Sequence, residues 1–331
     1  MKIKETIGID VSKASLDAHI HSNKCKGTFE NLEKGFVSLI KWAYANSGHP
    51  KENILFVFEH TGLYSEKLAE HLSSKAIPYT IVAGLQIKKS LGIVRGKDDR
   101  IDAAKIALYA YRLRDEIEIS KVPSKQLRAL KKLLSLRERL IKQRAGYKAS
   151  LKEQKKVLAQ KDFGLLFKVQ KKMVAELTKQ VEAIDAEMIS IVKADTELDR
   201  IFKLLLTIRC IGNQAAMLLI VHTEGFTKFK NARQFAAYCG IAPYPHQSGT
   251  SIRGRSKVSP MANKTVKSML NMCALSSIIY NAEIKKYYDQ RVATGKNKMS
   301  TINIIRNKLV SRAFAVVNRG TPYVNVYRHA S

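Results

Sequence analysis

The first 120 residues alternate between two hydrophobic periods. Short runs dense in β-branched and aromatic residues predict strands at 5–11, 15–21 and 25–30, spaced as hairpins. Beyond them the pattern predicts a helix from about residue 36, a strand at 54–58, a helix at 63–73, a strand at 78–83 and helices to about residue 113. Three strands followed by alternating helices and strands is the order of an RNase H-like mixed sheet. We therefore expect an α/β domain of this class over residues 1–122.

Long helices are predicted after Pro123. Apolar residues recur at spacings of three and four, with a break at 162–164. They are Leu133, Leu136, Leu140 and Tyr147, then Val174, Leu177, Val181, Ile184, Met188 and Ile191. This pattern predicts a helical hairpin or coiled-coil arm over residues 123–195. We expect the arm to contact a second subunit, and the alternative is an antiparallel pair packed within one subunit.

Residues 196–331 are predicted to form a mainly α-helical domain. Two apolar helical runs between Leu204 and Ile220 are divided by Ile211 and Gly212, as in a helix-hairpin-helix whose turn offers backbone N–H groups to a phosphate. Glycine between helices is also an ordinary C-cap, so this signal is weak. The segment 238–257 is rich in Gly, Pro, Ser and Arg, a composition that predicts a loop.

Charge is distributed unevenly along the chain. It carries 58 Lys and Arg against 28 Asp and Glu, a formal net charge of +30. Residues 1–120 hold 18 basic and 15 acidic residues, 121–195 hold 19 and 8, and 196–331 hold 21 and 5. Such an excess is typical of proteins that bind a polyanion. We therefore expect the nucleic-acid contacts to lie mainly after residue 120.

Cysteine spacing and hydropathy indicate the compartment. The four cysteines show no CxxC pair, so neither a zinc site nor a disulfide framework is indicated. No signal peptide opens the sequence and no apolar run reaches membrane-spanning length. We expect a cytoplasmic, nucleoid-associated protein with reduced thiols.

Four acidic residues form the strongest chemical signal. Asp10 lies in the first predicted strand, Glu59 ends a later one, and Asp99 and Asp102 lie three apart on one face at the start of a predicted helix. Any one of them alone is more often solvated structure in a turn or a first helical turn. Together they predict a site for a hard divalent cation, Mg²⁺ or Mn²⁺.

A serine and a basic cluster lie in the segment 238–257. Ser248 precedes Gly249, which lets backbone approach a ligand closely. The candidate nucleic-acid contacts that follow are Arg253, Arg255, Lys257 and Lys264. The alternative role for Ser248 is a turn hydroxyl that bonds to its own backbone.

These motifs resemble the DEDD transposases of bacterial insertion sequences, the insertion sequence 110 family, which are close relatives of site-specific DNA invertases. The resemblance covers essentially the whole chain. It is carried by the segments 8–13, 59–62, 97–103, 235–243 and 248–249. The family pattern Asp-Arg-x-Asp-Ala assigns the third acid to Asp99 rather than Asp98. Many relatives carry two small hydroxyl residues before the loop glycine, whereas Gln247 precedes Ser248 here, so Ser251 is the fallback nucleophile.

The resemblance implies a mechanism and partners. It implies a RuvC-like nuclease domain whose Asp10, Glu59, Asp99 and Asp102 bind Mg²⁺, a coiled-coil arm, and a C-terminal transposase domain whose Ser248 is the nucleophile. It further implies a structured non-coding guide RNA that pairs with target and donor DNA. A homodimer that assembles to a tetramer, with acids from one subunit and serine from another, is expected.

Three other functions compete with this interpretation. A metal-dependent RuvC-like Holliday-junction endonuclease would need only the four acids and would use water as nucleophile. An actin-like ATPase shares the fold and a Gly-Ile-Asp-Val-Ser opening, but the sequence has no second Asp-x-Gly motif and no Gly-Gly adenosine loop. An RNA chaperone would account for the charge but not for the acids.

Overall fold

The structure is a computed structural model that describes residues 2–90, 99–248 and 252–324. For residues 99–101, 246–248, 252–253 and 255 only the backbone is described. The chain divides into two compact units, Met1–Val122 and Pro123–Ser331. Within the described ranges, no helix is both long enough and apolar enough to cross a membrane.

The first unit contains a mixed five-stranded sheet. Its strands are β1 Glu5–Val11, β2 Ser15–Ile20, β3 Lys26–Glu30, β4 Ile54–Glu59 and β5 Tyr79–Val82, in the order β3-β2-β1-β4-β5. β1, β2 and β3 pair antiparallel, whereas β4 runs parallel to both β1 and β5. The helices are α1 Glu33–Asn46, α2 Leu63–Ser74, α3 Gly84–Ser90 and α4 Asp99–Arg112, with a short 3₁₀ helix at Lys51–Asn53. The mixed α/β sheet predicted from the sequence is confirmed.

Both faces of this sheet are covered. Ile7 and Ile9 of β1 pack with Phe36 of α1 and Leu68 of α2 on one face. On the other face, Leu55 and Val57 of β4 pack against Ile106 and Ala110 of α4. Burial on both faces explains why β4 is almost continuously apolar. In β1 the apolar residues Ile7, Ile9 and Val11 alternate with Thr6, Gly8 and Asp10, and the latter lie on the face that α4 covers. Asp10 and Glu59 are charged residues next to these buried positions, near the ends of the two strands.

The second unit is mainly helical. Its elements are α5 Lys125–Val157, α6 Gly164–Lys193, α7 Thr196–Leu206, α8 Asn213–Thr223, α9 Ala232–Tyr238, β6 Pro243–Ser248, β7 Ile252–Val258, α10 Lys264–Tyr280, α11 Ala282–Ala293 and α12 Lys298–Arg319. α8 is buried almost all round, and the apolar residues of α7, α10 and α12 complete the core with it. The predicted division between an arm at 123–195 and a domain at 196–331 stays a prediction.

The predicted helical hairpin is present in α5 and α6. Arg137 pairs with Asp185, with Nη2–Oδ2 at 3.1 Å, and Gln154 bonds Gln170 at 2.8 Å. Because residues later in α5 meet residues earlier in α6, the two helices are antiparallel. The apolar stripe of α6 is buried within one chain. This is the arrangement given above as the alternative to contact with a second subunit. Contact with a second subunit remains a prediction.

One alternative and one prediction need correction. Gly212 lies before the first residue of α8 as its N-cap, not as the C-cap of the preceding helix. The segment 238–257 is not a loop throughout, because β6 and β7 form an antiparallel hairpin there. The prediction of a loop rested partly on the prolines of this segment. Pro243 begins β6, Pro245 falls in a register irregularity, and both strands are edge strands, where proline is tolerated.

Candidate active site

Asp10 and Glu59 come from adjacent parallel strands. Ile9 of β1 lies beside Phe58 of β4 in the parallel register, so the two acids occupy the next position on each strand. Side chains alternate along a strand, and Gly8 and Val57, two residues before the acids, lie on the face that α4 covers. Both carboxylates therefore belong to the α4 face at the carboxyl ends of these strands.

The packing of α4 on β1 sets where the helix begins relative to these strand ends. The Thr6 hydroxyl donates a hydrogen bond to the Ala107 carbonyl at 2.9 Å. A Cβ built on Gly8 would lie 2.2 Å from the Ala103 carbonyl oxygen. Moving along β1 from Thr6 to Gly8 therefore means moving back along α4 from Ala107 to Ala103. The next step of this register brings Asp10 toward the first turn of α4.

The first turn of α4 supplies Asp99 and Asp102. Asp99 is the first residue of the helix. The Asp102 carboxylate is 36% exposed and forms an ion pair with Lys105 at 2.7 Å, one helical turn further on. Such a half-exposed pair contributes little to stability, so Lys105 can release Asp102 at small cost.

Gly84, the first residue of α3, makes room for the Glu59 carboxylate. A Cβ built on Gly84 would lie 2.0 Å from Glu59 Oε1 and 2.4 Å from its Cδ. The absence of a side chain at Gly84 therefore lets the carboxylate lie directly on the backbone of α3. Gly8 and Gly84 thus serve the same purpose, because each allows backbone to approach the neighbourhood of an acid.

The backbone places the four acids on neighbouring elements, at the ends of β1 and β4 and at the start of α4. Among the side chains that the structure describes, no group of three His, Cys, Asp or Glu is close enough to hold one metal ion. The side chain of Asp99 lies outside that set. The donors are carboxylate oxygens from separate elements, which is the chemistry that suits a hard divalent cation. The chemistry of the donors therefore suits such an ion, whereas the described side chains are not gathered around one point and Asp102 is paired with Lys105.

Ser248 lies at the end of a β-hairpin. It is the last residue of β6 and pairs with Ile252 of β7 across the turn. The turn residues 249–251, which include Ser251, lie outside the described residues. Arg253, Arg255 and Lys257 occupy alternate positions of β7, and Lys257 is exposed. Lys264 is exposed at the first position of α10.

A polar cluster that sequence reasoning missed lies at the base of this hairpin. The Asn263 side-chain amide donates to the Tyr238 hydroxyl at 2.8 Å, and His222 Nδ1 lies 3.2 Å from that hydroxyl. Burial lowers the pKa of the His222 imidazole, and the positive charges of Lys228 and Lys131 act in the same direction. The available signal was the position of His222 directly after the apolar run 215–221 of α8.

Comparisons with known proteins match both units. The family model for DEDD transposases of the IS110 type matches residues 7–160, and that of the transposase IS116/IS110/IS902 family matches residues 202–289. The pilin gene-inverting proteins of Moraxella bovis and Moraxella lacunata are each 29% identical to this chain, over 97% of it and 98% of their own length. An uncharacterized 43.6 kDa protein of insertion element IS110 from Streptomyces coelicolor is 30% identical over 34% of this chain and 28% of its own.

The matched segments contain the sites described above. Asp10, Glu59, Asp99 and Asp102 lie in the first matched segment, and Ser248 with its hairpin lies in the second. Full-length similarity to gene-inverting proteins agrees with both matches. The chain belongs to the IS110 family of transposases, enzymes that cleave and rejoin DNA.

Proposed function

We propose that this enzyme exchanges DNA strands for an insertion sequence, using an acidic Mg²⁺ site and a serine nucleophile under the guidance of an element-encoded RNA. The observation that supports this best is the register of β1, β4 and α4. In this register Asp10 and Glu59 lie at adjacent strand ends on the face that α4 covers, and α4 begins with the turn that contains Asp99 and Asp102. The strand order, antiparallel on one side of β1 and parallel on the other, supports an RNase H-like, RuvC-like fold.

Asp10, Glu59, Asp99 and Asp102 are the residues that would hold Mg²⁺. When bound, Mg²⁺ would stabilise negative charge that develops on the scissile phosphate. Gly84 lets Glu59 lie against the backbone of α3, and Gly8 lets β1 approach α4. Lys105 neutralises Asp102, a role that a bound cation would take over. Mn²⁺ offers the same preference for oxygen ligands.

Ser248 is the proposed nucleophile. Its hydroxyl oxygen attacks the phosphorus, a phosphoserine bond forms, and the bond between phosphorus and the leaving strand's oxygen breaks. The proton that serine loses is balanced by the one that the leaving oxygen gains. Attack by the hydroxyl of a second strand reverses these steps and restores the serine, so rejoining needs no ATP.

The charge distribution supports the proposed partners. The first 120 residues are nearly balanced, whereas the remaining 211 carry 40 basic and 13 acidic residues. Backbone contacts from this excess would hold target DNA, donor DNA and guide RNA, while base pairing supplies the sequence specificity. Exchange of two strands requires at least two protomers, which we propose form a dimer that assembles to a tetramer.

Covalent trapping tests the serine step. Denaturing a cleavage reaction should release protein attached to one DNA strand end, and Ser248→Ala should lose both this adduct and recombination while still binding DNA and RNA. Recombination by Ser248→Ala would transfer the role to Ser251. Hydrolytic nicks by the wild type without any adduct would favour the junction endonuclease.

Substitution of the acids tests the metal site. Asp10→Asn and Asp102→Asn should abolish cleavage and leave nucleic-acid affinity largely intact, because the positive excess lies after residue 120. EDTA should also stop cleavage, with recovery in Mg²⁺ or Mn²⁺ but not in Zn²⁺. An Asp102→Asn protein that cuts at the wild-type rate would show that the metal site is assigned wrongly.

A further inference from the structure

The hairpin that carries Ser248 is fixed to α12 by two asparagine side chains. Asn303 Nδ2 donates to the Ile241 carbonyl at 2.8 Å, and Asn307 Nδ2 donates to the same oxygen at 2.9 Å. Asn307 also bonds the Asn303 carbonyl at 2.9 Å, which uses its second amide proton. Ile241 is buried two residues before β6 begins. Two side chains one helical turn apart therefore satisfy both lone pairs of one buried carbonyl.

The segment that follows β7 packs against the segment that precedes β6. These two segments, residues 238–241 and 262–263, are called the root of the hairpin here. The Asn263 backbone N–H donates to the Tyr238 carbonyl at 2.9 Å, so the segments entering β6 and leaving β7 are joined. Gly240 has a φ of +65°, and a Cβ built there would lie 2.2 Å from the Ala262 Cβ. The close approach of these two segments depends on glycine. The root is thus tightly packed and hydrogen-bonded on both sides.

The strands themselves provide less rigidity than the root. An isolated two-stranded hairpin is marginally stable, and this one has a register irregularity between Tyr244 and His246. Ser248 lies seven residues beyond Ile241, roughly 23 Å at about 3.3 Å per residue. Over that length, a rotation of about 3° at the root moves the hairpin end by about 1 Å, enough to cost ~10²-fold in a positioned reaction.

We propose that Asn303 and Asn307 are positioning residues, which hold the hairpin at the angle that Ser248 needs for attack. They act through the Ile241 carbonyl and not by contact with DNA. This inference rests on the proposed role of Ser248. Either asparagine alone keeps one hydrogen bond on the carbonyl, so single losses are partly compensated and the two side chains act as a pair.

The test compares Asn303→Ala/Asn307→Ala with Asn281→Ala. Asn281 is a buried asparagine that caps α11 by accepting a hydrogen bond from the Ile284 N–H at 3.3 Å, so its loss also destabilises the unit without touching the hairpin root. The double variant should speed amide hydrogen exchange across residues 243–258 and slow adduct formation by about 10–100-fold at saturating DNA. DNA affinity should change little, and Asn281→Ala should change neither the exchange nor the adduct rate.

Two further outcomes keep the proposal testable. Asn303→Asp preserves size and replaces the amide donor with a carboxylate facing the carbonyl, so it should give the same changes if the double variant does not fold. Exchange and adduct rates equal to those of Asn281→Ala would overturn the positioning role. Absence of any adduct in the wild type would instead reject Ser248 as nucleophile, while the exchange measurement still decides whether the asparagines fix the hairpin.

Discussion

Gly8→Ala is the substitution that the packing of the acidic site makes most informative. A Cβ at this position would lie 2.2 Å from the Ala103 carbonyl oxygen, 2.3 Å from the Ala107 amide nitrogen and 2.9 Å from the Ala107 Cα. All three atoms belong to the backbone of α4, so no side chain can rotate away. The helix has to move from β1 by roughly 1 Å to reach ordinary contact distance.

The magnitude follows from two opposing terms. Replacing glycine with alanine reduces the entropy of the unfolded chain and by itself stabilises a protein by about 0.4–1 kcal/mol. Overpacking of a buried contact costs about 1–3 kcal/mol, so the net free energy of unfolding should fall. Because Asp102 moves with α4 while Asp10 stays on β1, we also expect DNA cleavage to fall about 10²-fold.

Gly146→Ala is the matched control. It lies inside α5 with no other atom within 4 Å of the Cβ position, so the same substitution should stabilise the protein by about 0.5–1 kcal/mol without changing cleavage. Urea unfolding and cleavage of labelled DNA in Mg²⁺ measure both quantities. Gly8→Ala with wild-type stability and wild-type cleavage would refute the register that brings α4 to the acids.

Three other predictions concern the Glu59 carboxylate, the ion pair between α5 and α6, and the buried His222. Gly84→Ala should displace the flexible Glu59 carboxylate, costing less than about 1 kcal/mol in stability but raising the Mg²⁺ concentration needed for cleavage. Asp185→Asn should break the part-buried pair with Arg137 and destabilise the second unit by about 1 kcal/mol in urea unfolding. Burial lowers the pKa of His222 from 6.5, so unfolding free energy should fall as pH drops below about 6.5, and His222→Gln should flatten this dependence.

Each of these predictions has an outcome that contradicts it. An unchanged Mg²⁺ requirement in Gly84→Ala would exclude Glu59 as a ligand. The exposed Glu153–Lys156 pair is the control for the arm, and a loss in Glu153→Gln equal to that in Asp185→Asn would show that burial is irrelevant there. A pH dependence of unfolding that is identical in wild type and His222→Gln would assign the proton uptake to other groups.

The sheet of the first unit was predictable because its signals are local. β1, β2 and β3 begin and end within one residue of the predicted boundaries, since each is a short segment of period-two alternation between turn residues. The hairpin at 243–258 was not predictable in the same way, because proline and glycine signal a loop unless the strands lie at an edge. Its pairing depends on contacts across the turn that composition does not report.

For the proposed acidic site, the sequence indicates candidate residues but not their geometry. Strand ends and a helix start can be found from the sequence, whereas the register of α4 on β1 depends on Thr6 and on the missing side chain of Gly8. The role of Gly84 is equally hidden in the sequence, because a glycine at the first position of a helix has the same sequence pattern whether or not a carboxylate lies against it. Close backbone approach leaves no pattern along the chain.

The glycines and the asparagines of this protein solve the same problem by different means. A reaction at phosphorus tolerates little displacement, yet the proposed groups Asp10, Glu59 and Ser248 lie at or next to the ends of strands. At Gly8 the restraint is direct contact between helix and strand, which fixes a distance. At Ile241 it is a pair of hydrogen bonds, which fix an angle and can be released one at a time. Substitutions at Gly8 should therefore be costly singly, whereas alanine substitutions at Asn303 and Asn307, which add no charge beside the carbonyl, should be costly mainly together.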